Sequence, residues 1–454
     1  MKASFDLGCI LCILLANPSL GFSTPPRCGD RLQKRPTFLS ANDRAEVVTI
    51  FQYSPTSLKH LENTELPDDY SRPWTEAKVK ALAAGVALGT ILGVGGEIVF
   101  QNVLDIEKTF VLWGGLGIAG GWYLGGGKEV AESEKPINGG YDRKLIADRP
   151  SRLESVLKSI SEAGLTIGEL SSEDSSARDL SKVTEYAKEV HSAEYLDMLK
   201  RRSAEADRPQ RLNPVYSRTL IDQHSYGAAL NAAADWIESV DSALAEDKVK
   251  FALVRPPSHH ACRAKGMGGC LLNSVAIAAK YALDQPNIKN VAILDIDAHH
   301  GNGIAHCVQD MANVRYCSIH EDASSGFLGR SADDPNDPRS ASSEDRGPLS
   351  NILNINLPAG TSWENGYKSS LVEKAIPFLA AGNPDILLVA AGFDALEADL
   401  TSRLNLQPGD YECIAKILRE KFGNRIATGL EGGYCWQNGE LNEAILAFVN
   451  PWRQ

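Results

Sequence analysis

The sequence predicts an α/β fold: a single three-layer domain with a mostly parallel central sheet. Two observations carry this prediction. Short apolar runs rich in β-branched residues, at 251–254, 291–296 and 386–391, lack polar alternation, as expected of strands covered on both faces. Each run is followed by a loop carrying titratable residues, and in open parallel sheets that edge is where ligands bind. Strands are expected at 251–254, 291–296, 314–319, 352–357, 386–391 and 425–429, and helices at 151–163, 225–245, 270–283 and 408–421. Nothing upstream of about residue 140 is expected in this core.

Taken in order, the strand ends carry the chemistry. Phe251-Ala252-Leu253-Val254 runs into Arg255-Pro256-Pro257-Ser258-His259-His260-Ala261, which puts adjacent histidines on a loop. Histidine titrates near neutrality and can take a proton and return it. The next strand runs through Asp295 into Asp297-Ala298-His299-His300-Gly301-Asn302-Gly303. Side chains alternate along a strand, so Asp295, Asp297 and His299 share one face. Carboxylates on an otherwise apolar strand are costly to bury unless paired or ligated, which suggests a cation. The strand at 386–391 ends in Gly392-Phe393-Asp394-Ala395, placing another carboxylate at the same edge. Arg425-Ile426-Ala427-Thr428 leads to Leu430-Glu431-Gly432-Gly433-Tyr434, whose glycines let the backbone turn and present a tyrosine hydroxyl inward.

Singly, each of these residues is more often a cap, a turn residue or a satisfied core group. In combination, Asp297, His299 and Asp394 form the three-ligand set of a catalytic metal site, with positions left for water and substrate. With His259, His260 and Tyr434 beside them, the set reads as a metallohydrolase.

On these residues the chain resembles the zinc-dependent histone deacetylase family, from Tyr141 to near the C-terminus. The matching stretches are RPPSHHA at Arg255, GGCLLNSVAIAA at Gly268, DIDAHHGNG at Asp295, SIHED at Ser318, AAGFDA at Ala390 and LEGGY at Leu430. Asn302 and the LEGGY ending are similar to the class II branch and its bacterial relatives. Upstream, 149–153 and 190–195 are similar to the family's opening helices. The resemblance implies an arginase/deacetylase-like architecture in which Asp297, His299 and Asp394 bind zinc, and the metal polarises the amide carbonyl and a water. It implies that His259 and His260 are general base and acid, with Asp295 and Asn302 as their respective partners, and that Tyr434 donates to the oxyanion. A neutral Asn302 stabilises an imidazolium less than a carboxylate does, so His260 is expected to stay closer to neutral. A structural potassium ion is implied at Asp295, Ser318 and the backbone around Asp297, His299 and Ile319. Ferrous iron also suits an Asp-His-Asp set. A binuclear manganese site of arginase type would want further carboxylates where Gly301 and Leu396 stand.

One departure bears on substrate. Relatives line the acyl-lysine tunnel with two facing aromatic rings; Phe327 supplies one wall, but the other falls on Gly269, after Gly268. Losing that ring removes about 1–3 kcal/mol of apolar contact and opens the tunnel on one side, which would favour a bulkier acyl group or a small amide.

The 454 residues, 43% of them hydrophobic, can bury a large core, and a formal charge of -12 without a basic stripe argues against direct nucleic-acid binding. An acidic surface would suit a basic protein substrate. The nine cysteines show no disulfide-framework spacing, so reduced thiols are expected. Residues 1–21, with Lys2 before an apolar run and small residues at 19–21, read as a signal peptide. Residues 22–80 begin as a basic, hydroxylated, transit-like segment. The pair reads as a bipartite plastid presequence, with a secreted or endomembrane form as the alternative.

Residues 81–127 are Gly-rich and apolar, with 110–127 free of charge. Each half approaches the roughly 20 residues needed to cross a bilayer, and Gly117 and Gly121 have small-xxx-small spacing. Two helices joined at 101–108 would form a membrane hairpin anchor; the alternative is a Gly-rich loop or a soluble hairpin packed on the enzyme. The Ser-rich charged segments 169–178 and 331–346 read as solvated loops.

For the catalytic domain, 141–454, three functions follow. The favoured one is a deacetylase-type hydrolase of acyl-lysine on proteins. The second is an amidohydrolase of small acylated amines such as acetylpolyamines. The third, a non-catalytic acyl-lysine-binding scaffold, is disfavoured because such a module needs neither a general base nor an oxyanion donor.

Overall fold

Eight parallel strands form one sheet: β1 (Phe51–Tyr53), β2 (Ile167–Glu169), β3 (Phe251–Ala252), β4 (Val291–Asp295), β5 (Val314–Glu321), β6 (Ile352–Leu357), β7 (Ile386–Ala391) and β8 (Ile426–Leu430). Their order across the sheet is β6-β5-β4-β7-β8-β3-β1-β2. The structure is a computed structural model that describes residues 148–165, 178–212, 219–245, 248–322 and 346–453, together with the backbone of short strands at 51–53, 97–99, 111–113 and 167–169.

The predicted runs form strands because both of their faces are covered. Along β4 and just beyond it, Ala292, Leu294 and Ile296 enter one core, while Val291 and Ile293 enter the other. In β7, Leu387, Val389 and Ala391 face the first core, and Ile386, Leu388 and Ala390 face the second. The first core is closed by α1 (Pro150–Glu162), the helical stretch 363–380, α8 (Pro408–Phe422) and α9 (Glu440–Val449). The second is closed by α2 (Ser181–Val190), α3 (Ala193–Ala204), α4 (Ser225–Ala245), α5 (Ser274–Leu283) and α6 (Asn302–Val308), while α7 (Ile376–Ala380) ends the stretch on the first side. Three layers result. Helix starts follow local chemistry: Pro occupies the first turn of α1 and α8, and the Asn273 side chain caps α5 by accepting from the Ala276 N–H at 2.9 Å.

The connections fix where a ligand can sit. From β4 the chain proceeds outward to β5 and β6, then returns to the other side of β4 for β7 and β8. The strand order therefore reverses between β4 and β7, and at such a switch point the carboxyl ends of the strands open a crevice.

Four expectations need correcting. The segment Phe51–Tyr53 pairs with both β3 and β2, so a piece of chain upstream of residue 140 does belong to the sheet. Of the segment 169–178 read as a solvated loop, Glu169 ends the edge strand Ile167–Glu169 and Arg178 is largely buried, 2.6 Å from Asp235 and paired also with Glu238; 170–177, like 331–345 of the second such segment, lie outside the described residues. Within 81–127, Glu97–Val99 and Val111–Trp113 pair as antiparallel strands rather than lying in helices; the rest of that region is outside the described residues. Among the described residues no helix is long and apolar enough to cross a membrane. Cys413 of α8 is disulfide-bonded, against the expectation of reduced thiols, whereas Cys262, Cys270, Cys307, Cys317 and Cys435 are free.

Candidate active site

The loops after β4 and β7 bring Asp297, His299 and Asp394 together at the switch point, with one potential ligand atom from each lying within 4.8 Å of the others. His299 Nδ1 is 3.1 Å from Asp297 Oδ1 and 2.8 Å from Asp394 Oδ2. Both carboxylates are fully buried. Burial and then Asp297 push Asp394 up to about 7 against the pull of His299. Burial also opposes charge on Asp297, yet His259 and His299 hold its carboxyl well below the usual range. Two buried carboxylates around one imidazole nitrogen repel each other unless a positive charge sits among them. Such a nitrogen and oxygen donor set fits a transition-metal ion.

Backbone donors hold these candidate ligands in place. The Ala298 N–H donates to Asp394 Oδ1 at 2.7 Å, the His299 N–H to Asp297 Oδ1 at 2.8 Å, and the Gly432 N–H to Asp297 Oδ2 at 2.8 Å. Gly432 is present for want of space: a Cβ there would lie 2.4 Å from Asp394 Oδ2 and 2.5 Å from Asp297 Oδ2.

The histidine pair lies next to this triad. His259 Nδ1 is 3.2 Å from Asp295 Oδ2, and its Nε2 is 3.8 Å from Asp297 Oδ1. Burial works against charge on His259, but Asp297 and Asp295 outweigh it and lift its pKa to about 10; a cation held by Asp297 would offset that pull and return the ring toward the neutral form a base needs. His260 Nδ1 is 2.7 Å from Asn302 Oδ1; the Asn302 amide nitrogen in turn faces Met267 Sδ at 3.4 Å. With Oδ1 as acceptor, Nδ1 of His260 carries the hydrogen, which leaves Nε2 for chemistry. The two rings are 4.0 Å apart, and the His260 ring is 6.0 Å from that of His299.

Tyr434 follows β8 on the same edge. Arg152, fully buried in α1, lies 5.0 Å from the Tyr434 ring centroid and donates to the carbonyls of Glu431 and, at 3.0 Å, Gly432. The Tyr434 N–H donates to buried Asp399. Burial raises the Tyr434 hydroxyl well above its usual range, with Arg152 opposing, so the hydroxyl stays protonated and able to donate.

Asp295 and Ser318 are register partners on β4 and β5; Asp295 Oδ1 accepts from the Asp297 N–H at 3.1 Å, and Ser318 Oγ lies 2.8 Å from His320 Nδ1. Gly268 and Gly269 form the turn between Met267 and Cys270, both with positive φ (59° and 83°). Among the described residues a Cβ on Gly269 would meet only Pro257 Cγ, at 3.9 Å, so no described side chain fills the place where relatives carry a ring. Phe327 lies outside the described residues.

Several buried groups carry the site without having been assigned a role from sequence. Glu431 accepts from the N–H groups of Ser258 and His259, at 2.6 and 3.0 Å. Asp148 lies 3.2 Å from Arg152 and 3.0 Å from Arg255, tying α1 to the start of the histidine loop. Glu431 and Asp399 were detectable by the signal used for Asp295, an acid beside an apolar strand or in a strand-end loop. Asp148, Arg152 and Arg255 offered no comparable pattern.

Comparisons agree with this geometry. A model of the histone deacetylase domain matches residues 147–450. A protein of Synechocystis sp., described as uncharacterized, is 39% identical over 255 residues, 55% of this chain and 76% of its own length. Polyamine deacetylase HDAC10 of Danio rerio is 32% identical over 249 residues, 54% of this chain but 36% of its own. The crystal structure of the HDA15 HD domain superposes with a TM-score of 0.58 at 25% identity, covering 69% of this chain and 88% of that one. The match to the domain model runs over well more than half of the sequence, from just before α1 to just past α9, and on that extent the chain belongs to the histone deacetylase family.

Proposed function

We propose that this protein hydrolyses acyl-lysine amides on proteins. The observation that carries the reading is the convergence of Asp297, His299 and Asp394 beside the His259–His260 pair. Asp297, His299 and Asp394 would hold zinc, ferrous iron being the other ion such a set suits, and the chemistry supplied there is Lewis-acid polarisation of a carbonyl and a water. His259, oriented by Asp295, takes the proton of the attacking water. His260, oriented by Asn302 and charged when it acts, delivers its Nε2 proton to the departing amine, and the proton taken by His259 restores the balance before the next turnover. The Tyr434 hydroxyl donates to the developing oxyanion. Asp295 and Ser318 would hold a structural potassium ion beneath the loop.

Hydrolysis of small acylated amines is the second reading. Two observations favour it: the side-chain-free turn at Gly269, and 32% identity to a protein named as a polyamine deacetylase. A formal charge of -12 suits cationic substrates of either kind. The leader, 1–21 with the basic, hydroxylated stretch that runs on to Ser40 and so ends ahead of the strand Phe51–Tyr53, supports targeting to a plastid by a bipartite presequence, and 81–127 remains a candidate for membrane association.

The test is turnover by the full chain of acetyl-lysine peptides, longer acyl-lysine peptides and acetylated polyamines. Peptide turnover exceeding polyamine turnover supports the first reading, and the reverse ranking supports the second. Tyr434→Phe should lower kcat by about 100- to 1000-fold at unchanged metal content, and Asp394→Ala should lose metal and activity together. Full activity in either variant would remove that residue from the mechanism.

A further inference from the structure

The histidine loop follows β3 and the tyrosine loop follows β8, its neighbour in the sheet. Their relative register decides whether base, acid and oxyanion donor meet one substrate. Glu431, the first residue past β8, is fully buried. Among the described residues its side-chain hydrogen bonds go to the histidine loop. Oε2 accepts from the Ser258 N–H at 2.6 Å and the His259 N–H at 3.0 Å, and Oε1 accepts from the Ser258 hydroxyl at 2.5 Å. Its own backbone is fixed as well: the N–H donates to Ala391 of β7 at 3.0 Å, and the carbonyl accepts from Arg152.

A buried carboxylate is a costly way to fill space, since an apolar side chain of similar volume would be cheaper there. Burial pushes Glu431 up to about 7, opposed by His259 and the Ser258 contacts. What an apolar residue could not provide is an acceptor for two adjacent loop N–H groups, and buried N–H groups left without partners carry their full desolvation cost. Building on the hydrolase reading above, we infer that Glu431 is a positioning residue: it clamps the backbone of Ser258 and His259 to the segment carrying Tyr434, so that both loops move as one.

The experiment uses the zinc-loaded full chain with E431A, E431Q and E431D. Glutamine preserves the shape, its carbonyl accepting the two N–H groups while its amide donates to the Ser258 hydroxyl. E431A should lower kcat per bound zinc by on the order of 100-fold, the scale for an ångström of misplacement, with KM nearly unchanged; E431Q should recover most of that loss. A kcat per folded, zinc-loaded molecule that is unchanged in E431A overturns the inference, even if its melting temperature falls. If E431A does not fold, E431D decides, since its shorter side chain draws the carboxylate back from both N–H groups: reduced kcat at constant KM supports the clamp, and unchanged kcat overturns it. Absence of acyl-amide turnover by the wild type would sink the functional reading alone. In that case imidazole nitrogen NMR still decides the clamp: displaced His259 and His260 signals in E431A or E431D, with His191 unmoved, support it, and unmoved His259 and His260 signals overturn it.

Discussion

Replacing Gly432 by alanine tests the metal centre through space alone. The glycine's φ lies outside the left-handed region, so alanine is acceptable to the backbone and the whole effect comes from one methyl group. That methyl would sit 2.4 Å from Asp394 Oδ2 and 2.5 Å from Asp297 Oδ2, against ordinary contact beyond 3.4 Å. Neither oxygen can swing away freely, because Asp394 Oδ1 is held by the Ala298 N–H and Asp297 Oδ1 by the His299 N–H. The backbone at 432 cannot retreat either, since its carbonyl accepts from Arg152 and from the Phe393 N–H, both at 3.0 Å. Overpacking of this kind costs about 1–3 kcal/mol. Expressed on the ligands, that is roughly 5- to 150-fold weaker metal binding. Chelator competition with zinc measures it directly, and a G432A protein that binds zinc as tightly as wild type would refute the placement of these two carboxylates on one ion.

Three further outcomes follow from the same structure. Gly269→Ala meets open space but must adopt φ near 83°, so it should lower stability by about 1–2 kcal/mol without touching zinc affinity; a denaturation curve identical to wild type would contradict the turn geometry. Gly269→Phe carries the same strain and should shift kcat/KM toward acetyl over longer acyl peptides by about 1–3 kcal/mol, equal ratios meaning that another residue fills the gap. His191, buried with Nδ1 on the Cys262 carbonyl at 3.0 Å and Nε2 accepting from the Asn273 N–H at 2.9 Å, is held neutral mainly by burial, its pKa down to about 4. Its stability contribution is therefore intact above the ordinary value near 6.5, falls as the unfolded chain takes up a proton between there and about 4, and levels off below, a loss of up to about 3 kcal/mol; a wild-type advantage over His191→Gln that stays constant across that window would show the ring to be protonated in the fold.

The parts of the fold that could be read from sequence were those whose burial left a periodic trace. Ile386–Ala391 and Val291–Asp295 are wholly buried, so their apolar runs had no polar interruption to blur them. The helices at 225–245 and 408–422 were legible for the same reason. By contrast, Phe51–Tyr53 is three residues long and owes its extended state to the strands on either side of it, which no local pattern records. The helical stretch 363–380 is broken up by Gly366 and Pro377, and its periodicity is correspondingly weak. In 81–127, hydrophobicity suggested helices, but composition cannot separate an apolar helix from a paired apolar strand, and pairing prevailed at Glu97–Val99 and Val111–Trp113. At the site, the ligands stood out because acids rarely end apolar strands. Glu431 sat in a quoted motif without a role, since nothing in its own loop shows that its partners are Ser258 and His259, more than a hundred positions earlier.

The strand Phe51–Tyr53 lies between β3 and β2 like an inserted slat. Any proteolytic trimming that stops short of it leaves the sheet complete, while cleavage even a few residues beyond it removes the strand that, among the described residues, pairs with β2, and leaves β3 without that partner. Unpaired edges invite pairing with other chains. Where the N-terminus is cut and how soluble the protein is are thereby linked: a recombinant fragment cut at the start of the deacetylase homology would keep every candidate metal ligand and yet expose a sticky flank, so the safe place to begin such a fragment is ahead of residue 51, not at the boundary that sequence matching suggests.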